Sequence, residues 1–459
     1  MAVSSVRRLP AVALSVGVFL LRLAAAGELP AEGPSLRALH EKIAEPRWLV
    51  AYLLEPARFQ PGTAMPDFDL EAREAQALAR FLYGSEEPHA SSPLAGDAER
   101  GRAIFDRRGC GACHATTTRE RSFSGRVPNL ASAGLKLHAE WTLSWLRDPR
   151  AVDPGATMPR FPLMQAEVED VVAFLATLRE GTDALAGAPP FDPRADATLG
   201  KTLFEQYGCG SCHVLGVRTR SSSFSPRTRE ELVRLGETLV SRYHCRACHR
   251  IGPEDPATEF RRADVGAPAL DEEARRVRRS WLVAYLESPV PLRPRLEVPM
   301  PDYGLDEQEA SAITAYLASL AGLEEEAEEA WSPPPELVQA GIERLAHYRC
   351  MQCHTTSSTV PPENRAIDLD LARSRLRVSW IRSLLRNPEK ALGAGTLMPS
   401  VFYDAEGRPK VAGAEKEIEA ITAALVASEA GLETAVARLE AERHKAAPGA
   451  DIDWTKYEY

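Results

Sequence analysis

Three features are scarce or absent in this 459-residue sequence. Basic residues are outnumbered, 55 against 65 acidic ones, and the net charge of −10 argues against nucleic acid as a partner. After the first thirty residues, no apolar run is long enough to span a bilayer. No cysteine lies outside a C-x-x-C pair, so none remains for a disulfide or a catalytic thiol. The length and the 44% hydrophobic content predict three or four soluble globular domains.

The first 26 residues have the pattern of a signal peptide. Arg7 and Arg8 precede an apolar stretch over residues 10–26, which ends in three alanines before Gly27. The alternative is an uncleaved membrane anchor, which Arg22 and the short apolar run disfavour. We expect export to the periplasm and cleavage near Ala26. Loss of the three arginines would change the net charge from −10 to −13.

All eight cysteines belong to C-x-x-C-H motifs. Two thiols at this spacing can reach both vinyl groups of one haem, and the adjacent histidine can bind the iron, which is the attachment signature of c-type haem. Zinc ribbons do not need a histidine after each pair, and redox dithiols need a strand–helix context that is absent here. The sequence therefore predicts four covalently attached haem c groups, on Cys110, Cys113 and His114; Cys209, Cys212 and His213; Cys245, Cys248 and His249; and Cys350, Cys353 and His354.

The sequence around these motifs repeats. A glycine lies nine residues before the first cysteine of every motif, in a segment with the pattern of a short helix. Three motifs are followed by a second module: P-x-L or a variant, a tryptophan eleven residues after the leucine, a helix that ends at a proline, Met-Pro, and an amphipathic helix. The three Met-Pro methionines are Met158, Met300 and Met398.

This order of elements resembles the class I c-type cytochromes over residues 33–430. The resemblance implies an all-α fold of tandem cytochrome c-like helical domains with one haem each. The first and last helices of each domain would cross, with Gly101 allowing a close approach. The implied axial ligand pairs are His114/Met158, His249/Met300 and His354/Met398. The last copy departs from the pattern, because residues 403–413 are inserted and Ala424-Leu425 replaces an aromatic–leucine pair.

The repeat predicts the boundaries of the domains. Residues 97–181, 236–322 and 337–430 each contain every part of a cytochrome c domain. The segments between complete or partial domains are linkers at 85–96, 182–195 and 323–336. Residues 431–459 should form an exposed helix and a loose tail. The histidines outside the motifs are expected to be solvated side chains: His40, His89, His138, His244, His347 and His444.

The motif at Cys209 has only a front half, residues 196–235, with no Met-Pro before the next motif. Residues 27–84 contain a second module without a front half: they have Pro34-Ser35-Leu36, Trp48 and Met65-Pro66, but no haem motif. We expect residues 33–84 to fold onto residues 196–230, with His213 and Met65 as the axial pair and Phe81 near Gly200 and Phe204. Either half alone would leave an apolar face in water. The alternative is that 33–84 is a remnant that packs elsewhere.

Haems with histidine and methionine ligands have no open position for a substrate, and methionine raises their potential. The sequence therefore predicts a periplasmic tetrahaem electron-transfer protein rather than an enzyme, working between redox proteins and possessing no evident small-molecule substrate. Two alternatives stay open. One is a multihaem peroxidase that uses the Cys209 haem as an open site, and the other is a cytochrome subunit of a membrane respiratory complex.

Overall fold

The computed structural model describes residues 33–85, 95–217, 226, 228–252, 267–292, 299–323, 331–354, 366–393, 396–427 and 431–446. Within these ranges the chain is helical and forms only isolated β-bridges, in agreement with the expected all-α fold. The helices are α1 Leu39–Lys42, α2 Pro46–Leu54, α3 Pro56–Phe59, α4 Ala72–Tyr83, α5 Ala98–Arg107, α6 Ala133–Lys136, α7 Ala139–Arg147, α8 Pro149–Val152, α9 Gln165–Thr177, α10 Thr182–Gly187, α11 Ala197–Gln206, α12 Arg229–Arg242, α13 Glu273–Arg276, α14 Arg279–Glu287, α15 Glu307–Leu320, α16 Pro335–His347, α17 Ala372–Arg375, α18 Val378–Arg386, α19 Pro388–Leu392, α20 Ala414–Ala427 and α21 Leu432–Ala446.

Several of the long helices begin at polar caps. The Asp97 side chain accepts a hydrogen bond from the backbone N–H of Arg100 at the start of α5. Asp196 does the same for the first turn of α11, and Thr228 and Glu231 form a capping box at the start of α12. These side chains satisfy N–H groups that have no partner within the first helical turn.

The chain forms two compact units. The first contains residues 1–268 and 301–304, with α1–α12, and the second contains residues 269–300 and 305–459, with α13–α21. The third repeat, 236–322, contributes to both units. In the described part of the chain, no helix is long and apolar enough to cross a membrane.

In the first unit, two pairs of helices cross at a glycine. On α5, a Cβ added to Gly101 would overlap the carbonyl oxygen of Asp170 on α9. On α11, Gly200 lies in the same way against the backbone of Ala77 on α4. The expected close approach at Gly101 is therefore present, and it recurs where two segments that are more than a hundred residues apart meet.

The second unit contains the same crossing. Gly341 on α16 faces the carbonyl oxygen of Ala420 and the Cβ of Ala424 on α20. Ala424 takes the place of the aromatic residue found in the other copies. The small side chain leaves room beside the glycine, while Leu425 remains in the buried core of this domain.

Within each unit, two second modules pair through one antiparallel bridge. In the first unit, Ile43 pairs with Leu137, and the backbone N–H of Ala44 donates to the carbonyl of Lys136 at 2.9 Å. In the second unit, Val277 pairs with Leu376. The bridge lies just before the tryptophan helix in every case, so the repeats assemble two by two through equivalent positions.

Reciprocal cation–π contacts accompany the bridge of the first unit. The Lys42 ammonium lies 4.7 Å from the ring centre of Trp141, and the Lys136 ammonium lies 4.5 Å from that of Trp48. Burial, with a smaller contribution from the nearby Lys42, lowers the pKa of Lys136 to about 7. Contacts of this kind contribute about 0.5–2 kcal/mol each.

Arginines occupy the equivalent positions in the second unit. The guanidinium of Arg276 lies 5.9 Å from the ring centre of Trp380, and that of Arg375 lies 5.0 Å from the ring centre of Trp281. Each module therefore places a basic side chain on the tryptophan of its partner module.

Two expectations about exposed side chains are wrong. His138 is buried, because it immediately precedes α7 at the module pairing, where its backbone N–H donates to the carbonyl of Lys42 at 3.0 Å. The helix expected to be exposed, α21, buries Leu432 and Val436 in the core of the last domain. The expectations for His89 and for the tail after residue 446 lie outside the described residues.

Candidate haem sites

The four C-x-x-C-H motifs have the same backbone conformation. Each follows a helix and forms one short 3-10 turn, and the residue before the first cysteine is left-handed: Gly109 (φ 70°), Gly208 (φ 68°), His244 (φ 54°) and Arg349 (φ 54°). Each motif histidine then donates its backbone N–H to the carbonyl of the first cysteine, at 2.9–3.1 Å. This turn holds both thiols and the imidazole of a motif together.

Each motif histidine also contacts a carbonyl oxygen through Nδ1. The acceptors are Pro128 for His114 (2.9 Å), Pro34 for His213 (2.9 Å), Pro268 for His249 (2.8 Å) and Ile367 for His354 (2.6 Å). A carbonyl can only accept, so Nδ1 carries the proton and Nε2 keeps the lone pair that a metal needs. The acceptor is always the first residue of P-x-L or its variant, so the second module orients the histidine.

The thiols are suited to an apolar cofactor and unlike those of a redox dithiol. None forms a disulfide among the described residues. Burial raises the pKa of Cys110 and Cys245 to about 12 and that of Cys350 to about 11. A reactive C-x-x-C pair would need a lowered pKa. With the Nε2 lone pair of the histidine, the two free thiols of each motif fit covalently attached haem, which would be held by both cysteines and the histidine of each motif.

The segment before α1 lies against the turn at Cys209. The Gly33 N–H donates to the carbonyl of Cys212 at 2.7 Å, and the Leu36 N–H donates to that of Val214 at 2.9 Å. On the other side, the rings of Phe81 and Phe204 meet edge to face at 5.8 Å, next to Gly200. Residues 33–84 and 196–217 thus come together in the way that the front and back halves of the uninterrupted repeats do.

Two methionines share a hydrophobic core with a motif cysteine. Met65 packs with Cys209 on the core that α2, α4 and α11 form, and Met398 packs with Cys350 on the core around α16 and α20. Met164, which is not in a Met-Pro pair, is 69% exposed. The axial pairs His213/Met65 and His354/Met398 stay predictions, and each methionine packs against the same core as the first cysteine of its motif.

Met158 has a specific polar partner. The Trp145 indole N–H donates to its sulfur at 3.0 Å, and the Trp145 ring stacks on Trp141 at 5.0 Å. Sequence reasoning missed Trp145, although an aromatic residue also follows Trp48 and Trp281 by four positions, at Tyr52 and Tyr285. That spacing puts both rings on one face of a helix and was the available signal.

Met300 belongs to the second unit and His249 to the first. Met300 is half-buried, and the ring of His249 is oriented by Pro268 like that of the other motif histidines. The pairing of His249 with Met300 stays a prediction, as does the pairing of His114 with Met158.

Comparison with known proteins agrees with these geometries. A family model for cytochrome c matches residues 98–179 and 233–321. Cytochrome c-552 of Bradyrhizobium diazoefficiens is 34% identical over 91 residues, which cover 19% of this chain and 82% of that protein. No solved structure matches the chain.

Two further relatives are subunits of a larger assembly. Cytochrome c oxidase subunit 2 of Alkalihalophilus pseudofirmus is 30% identical over 125 residues, and that of Bacillus sp. strain PS3 is 30% identical over 134 residues. The chain spans 36% of the length of each of these subunits. Taken with the four equivalent motif turns and the near-complete coverage of cytochrome c-552, the matches show that this chain belongs to the cytochrome c family.

Proposed function

We propose that this chain is an exported tetrahaem cytochrome c that carries electrons between redox proteins. Membership of the family implies haem-based electron transfer. The number of haems, the His/Met ligand pairs and the periplasmic location are the parts that we add. When bound, each haem c would supply a one-electron couple whose potential methionine ligation raises.

The observation that carries the proposal is the equivalence of the four motif histidines. Each has its Nδ1 proton held by the first carbonyl of a P-x-L segment or its variant, so each presents Nε2 to a metal. At His213 that segment comes from residues 34–36, far away in the sequence. A motif that had lost its haem would have no need for this second module. The shared arrangement therefore supports four haem sites rather than three.

The partners are proposed from charge and relatives. A net charge of −10, or −13 after removal of residues 1–26, favours docking to basic surfaces. The likeness to cytochrome c oxidase subunit 2 supports a partner within a respiratory complex. Residues 1–26 lie outside the described residues, and their pattern supports export with cleavage before Gly27.

The experiment is a haem count with spin states on the mature protein. Intact mass and the haem absorbance of the denatured protein should show four covalent haems, and low-temperature electron paramagnetic resonance should show only low-spin iron. A high-spin signal with turnover of peroxide would favour the open-site alternative at Cys209. Strongly negative potentials for all haems would contradict methionine ligation. N-terminal sequencing of the exported protein should begin at Gly27.

A further inference from the structure

One loop of the first unit, which follows the Cys110 motif, contacts residues next to the predicted haem sites at Cys209 and Cys245. It comprises residues 121–126, between the motif at Cys110 and its P-x-L segment. The N–H of Phe123 donates to the carbonyl of Cys113 at 2.9 Å, which ties the loop to its own motif. We call residues 121–126 the junction loop.

One side of the junction loop contacts the loop that carries Met65. The carbonyl of Gly125 accepts from the N–H of Ala64 at 3.0 Å and from the side-chain amide of Gln60 at 3.2 Å. A Cβ on Gly125 would overlap the carbonyl oxygen of Gly62, so the two backbones are in direct contact. The residue after Ala64 is Met65, the predicted ligand of the Cys209 haem.

The other side contacts the motif at Cys245. The ring of Phe123 meets that of His244 edge to face, with 5.8 Å between the ring centres. His244 immediately precedes Cys245 and takes the left-handed conformation that begins the motif turn. The side chain of His244 is partly buried, and its ring contacts the junction loop of the Cys110 motif.

A second contact supports this proximity. Arg160, two residues after Met158, forms an antiparallel bridge with Asp302 and an ion pair at 2.9 Å. The next residue, Tyr303, packs against Tyr243 with 5.7 Å between the ring centres. Through these two contacts, the segment that follows Met158 lies close to Tyr243, two residues before Cys245.

We propose that the Cys110 haem lies between the Cys209 and Cys245 haems, so that electrons pass between the outer two through the middle one. The spatial order would be 209, 110, 245, whereas the order along the chain is 110, 209, 245. The transfer is a one-electron exchange: one iron is oxidised as its neighbour is reduced, and no bond or proton needs to move. This inference rests on the proposed tetrahaem electron transfer.

The test uses full-length holoprotein in which one haem at a time is held oxidised. Met158→His replaces a thioether ligand with an imidazole and lowers the potential of the Cys110 haem. The variant keeps that haem oxidised while its neighbours are reduced. An electron on a neighbour disfavours a second one nearby, so the midpoints of the Cys209 and Cys245 haems should both rise relative to the parent. Haem-methyl nuclear magnetic resonance signals, recorded as the electrode potential is stepped, give each midpoint.

Two matched variants complete the test. Met65→His should raise the midpoint of the Cys110 haem and leave that of the Cys245 haem in place. Met164→His, at an exposed methionine outside the Met-Pro pairs, should leave the midpoints of both haems in place. The proposed order is overturned if Met65→His moves the Cys245 midpoint as far as that of Cys110, or if Met158→His moves only one neighbour.

A second measurement does not depend on methionine ligation. If the methionine variants leave every haem spectrum unchanged, the proposed ligand pairs fail, and the order is then decided by iron–iron distances. Pulsed dipolar electron resonance on the oxidised protein measures these distances, with pairs assigned in Cys→Ala variants that each lack one haem. The separation between the Cys209 and Cys245 irons should exceed each separation from the Cys110 iron. The order is overturned if the Cys209–Cys245 separation is shorter than either separation from the Cys110 iron. This result decides the order even if a methionine variant fails to fold.

Discussion

Replacing Trp145 with phenylalanine should lower the potential of the Cys110 haem. The indole N–H donates to the sulfur of Met158 at 3.0 Å, with the positive end of its dipole toward the predicted iron ligand. That orientation favours the reduced state of the haem. Phenylalanine keeps an aromatic ring against Trp141 and removes only the donor, so the reduced state should lose stability relative to the oxidised state.

The size of the shift follows from the strength of one hydrogen bond. A net value of about 0.5–1.5 kcal/mol is usual, and sulfur is a weak acceptor, so the lower end applies. Tenfold in an equilibrium is about 1.4 kcal/mol and, for one electron, about 59 mV. The Trp145→Phe variant should therefore lower the midpoint by about 20 mV, and by no more than about 60 mV.

The assay is a potentiometric titration of the assigned haem-methyl signals, with Trp141→Phe as the matched control. Trp141 stacks on Trp145 and contacts Lys42, so its loss changes packing without removing the donor to Met158. A raised midpoint in Trp145→Phe, or an equal fall in both variants, would refute the reasoning from the hydrogen bond.

Three other changes should have distinct outcomes. Met65→Ala should make one haem high-spin and leave the others low-spin in electron resonance, whereas Met164→Ala should change nothing because that side chain is 69% exposed. Gly200→Ala should destabilise the first unit by about 1–3 kcal/mol in denaturant unfolding, since its Cβ would overlap a helix backbone; Gly187→Ala, with no atom within 4 Å of its Cβ, should not. Glu415→Gln should cost at most about 1 kcal/mol at pH 7, because the carboxylate is half-exposed, and nothing below pH 2.

The pH dependence at Glu415 follows from its partners. Hydrogen bonds from Arg386 and Tyr403 lower its pKa to about 2. A lowered folded-state pKa adds stability that is present above the unfolded value of about 4.3 and is lost as the pH falls through the folded value. The free energies of unfolding of the parent and the glutamine variant, measured as the pH is lowered, should therefore converge between pH 4 and pH 2. Curves that stay parallel across this range would contradict the ion pair.

Spacing in the sequence predicted the features that each repeat needs for its own haem. Gly101 and Gly200 could be recognised because only glycine tolerates a helix backbone at that distance. The orphan halves could be matched because each lacked what the other contained. The predicted contact of Phe81 with Phe204 followed from that register alone.

Contacts between repeats could not be predicted in this way. The bridge of Ile43 with Leu137 involves one residue of each module, so it produces no periodic pattern in the sequence. The contact of Phe123 with His244 joins a loop without regular structure to a residue 121 positions later in the chain. The burial of His138 leaves no local pattern for the same reason, because it depends on contact with Lys42, on a module far away in the chain. Long-range packing of single side chains leaves little trace in local sequence.

The most direct measurement is an experimental structure of the mature protein with its haems. The proposed tetrahaem assembly predicts four haems, and at the Cys209 motif it predicts one iron bound by Nε2 of His213 on one side and by the sulfur of Met65 on the other. Nδ1 of that histidine should still donate to the carbonyl of Pro34. A Cys209 haem with Met65 far from its iron, or a motif without haem, would contradict the proposal that residues 33–84 complete the fourth site.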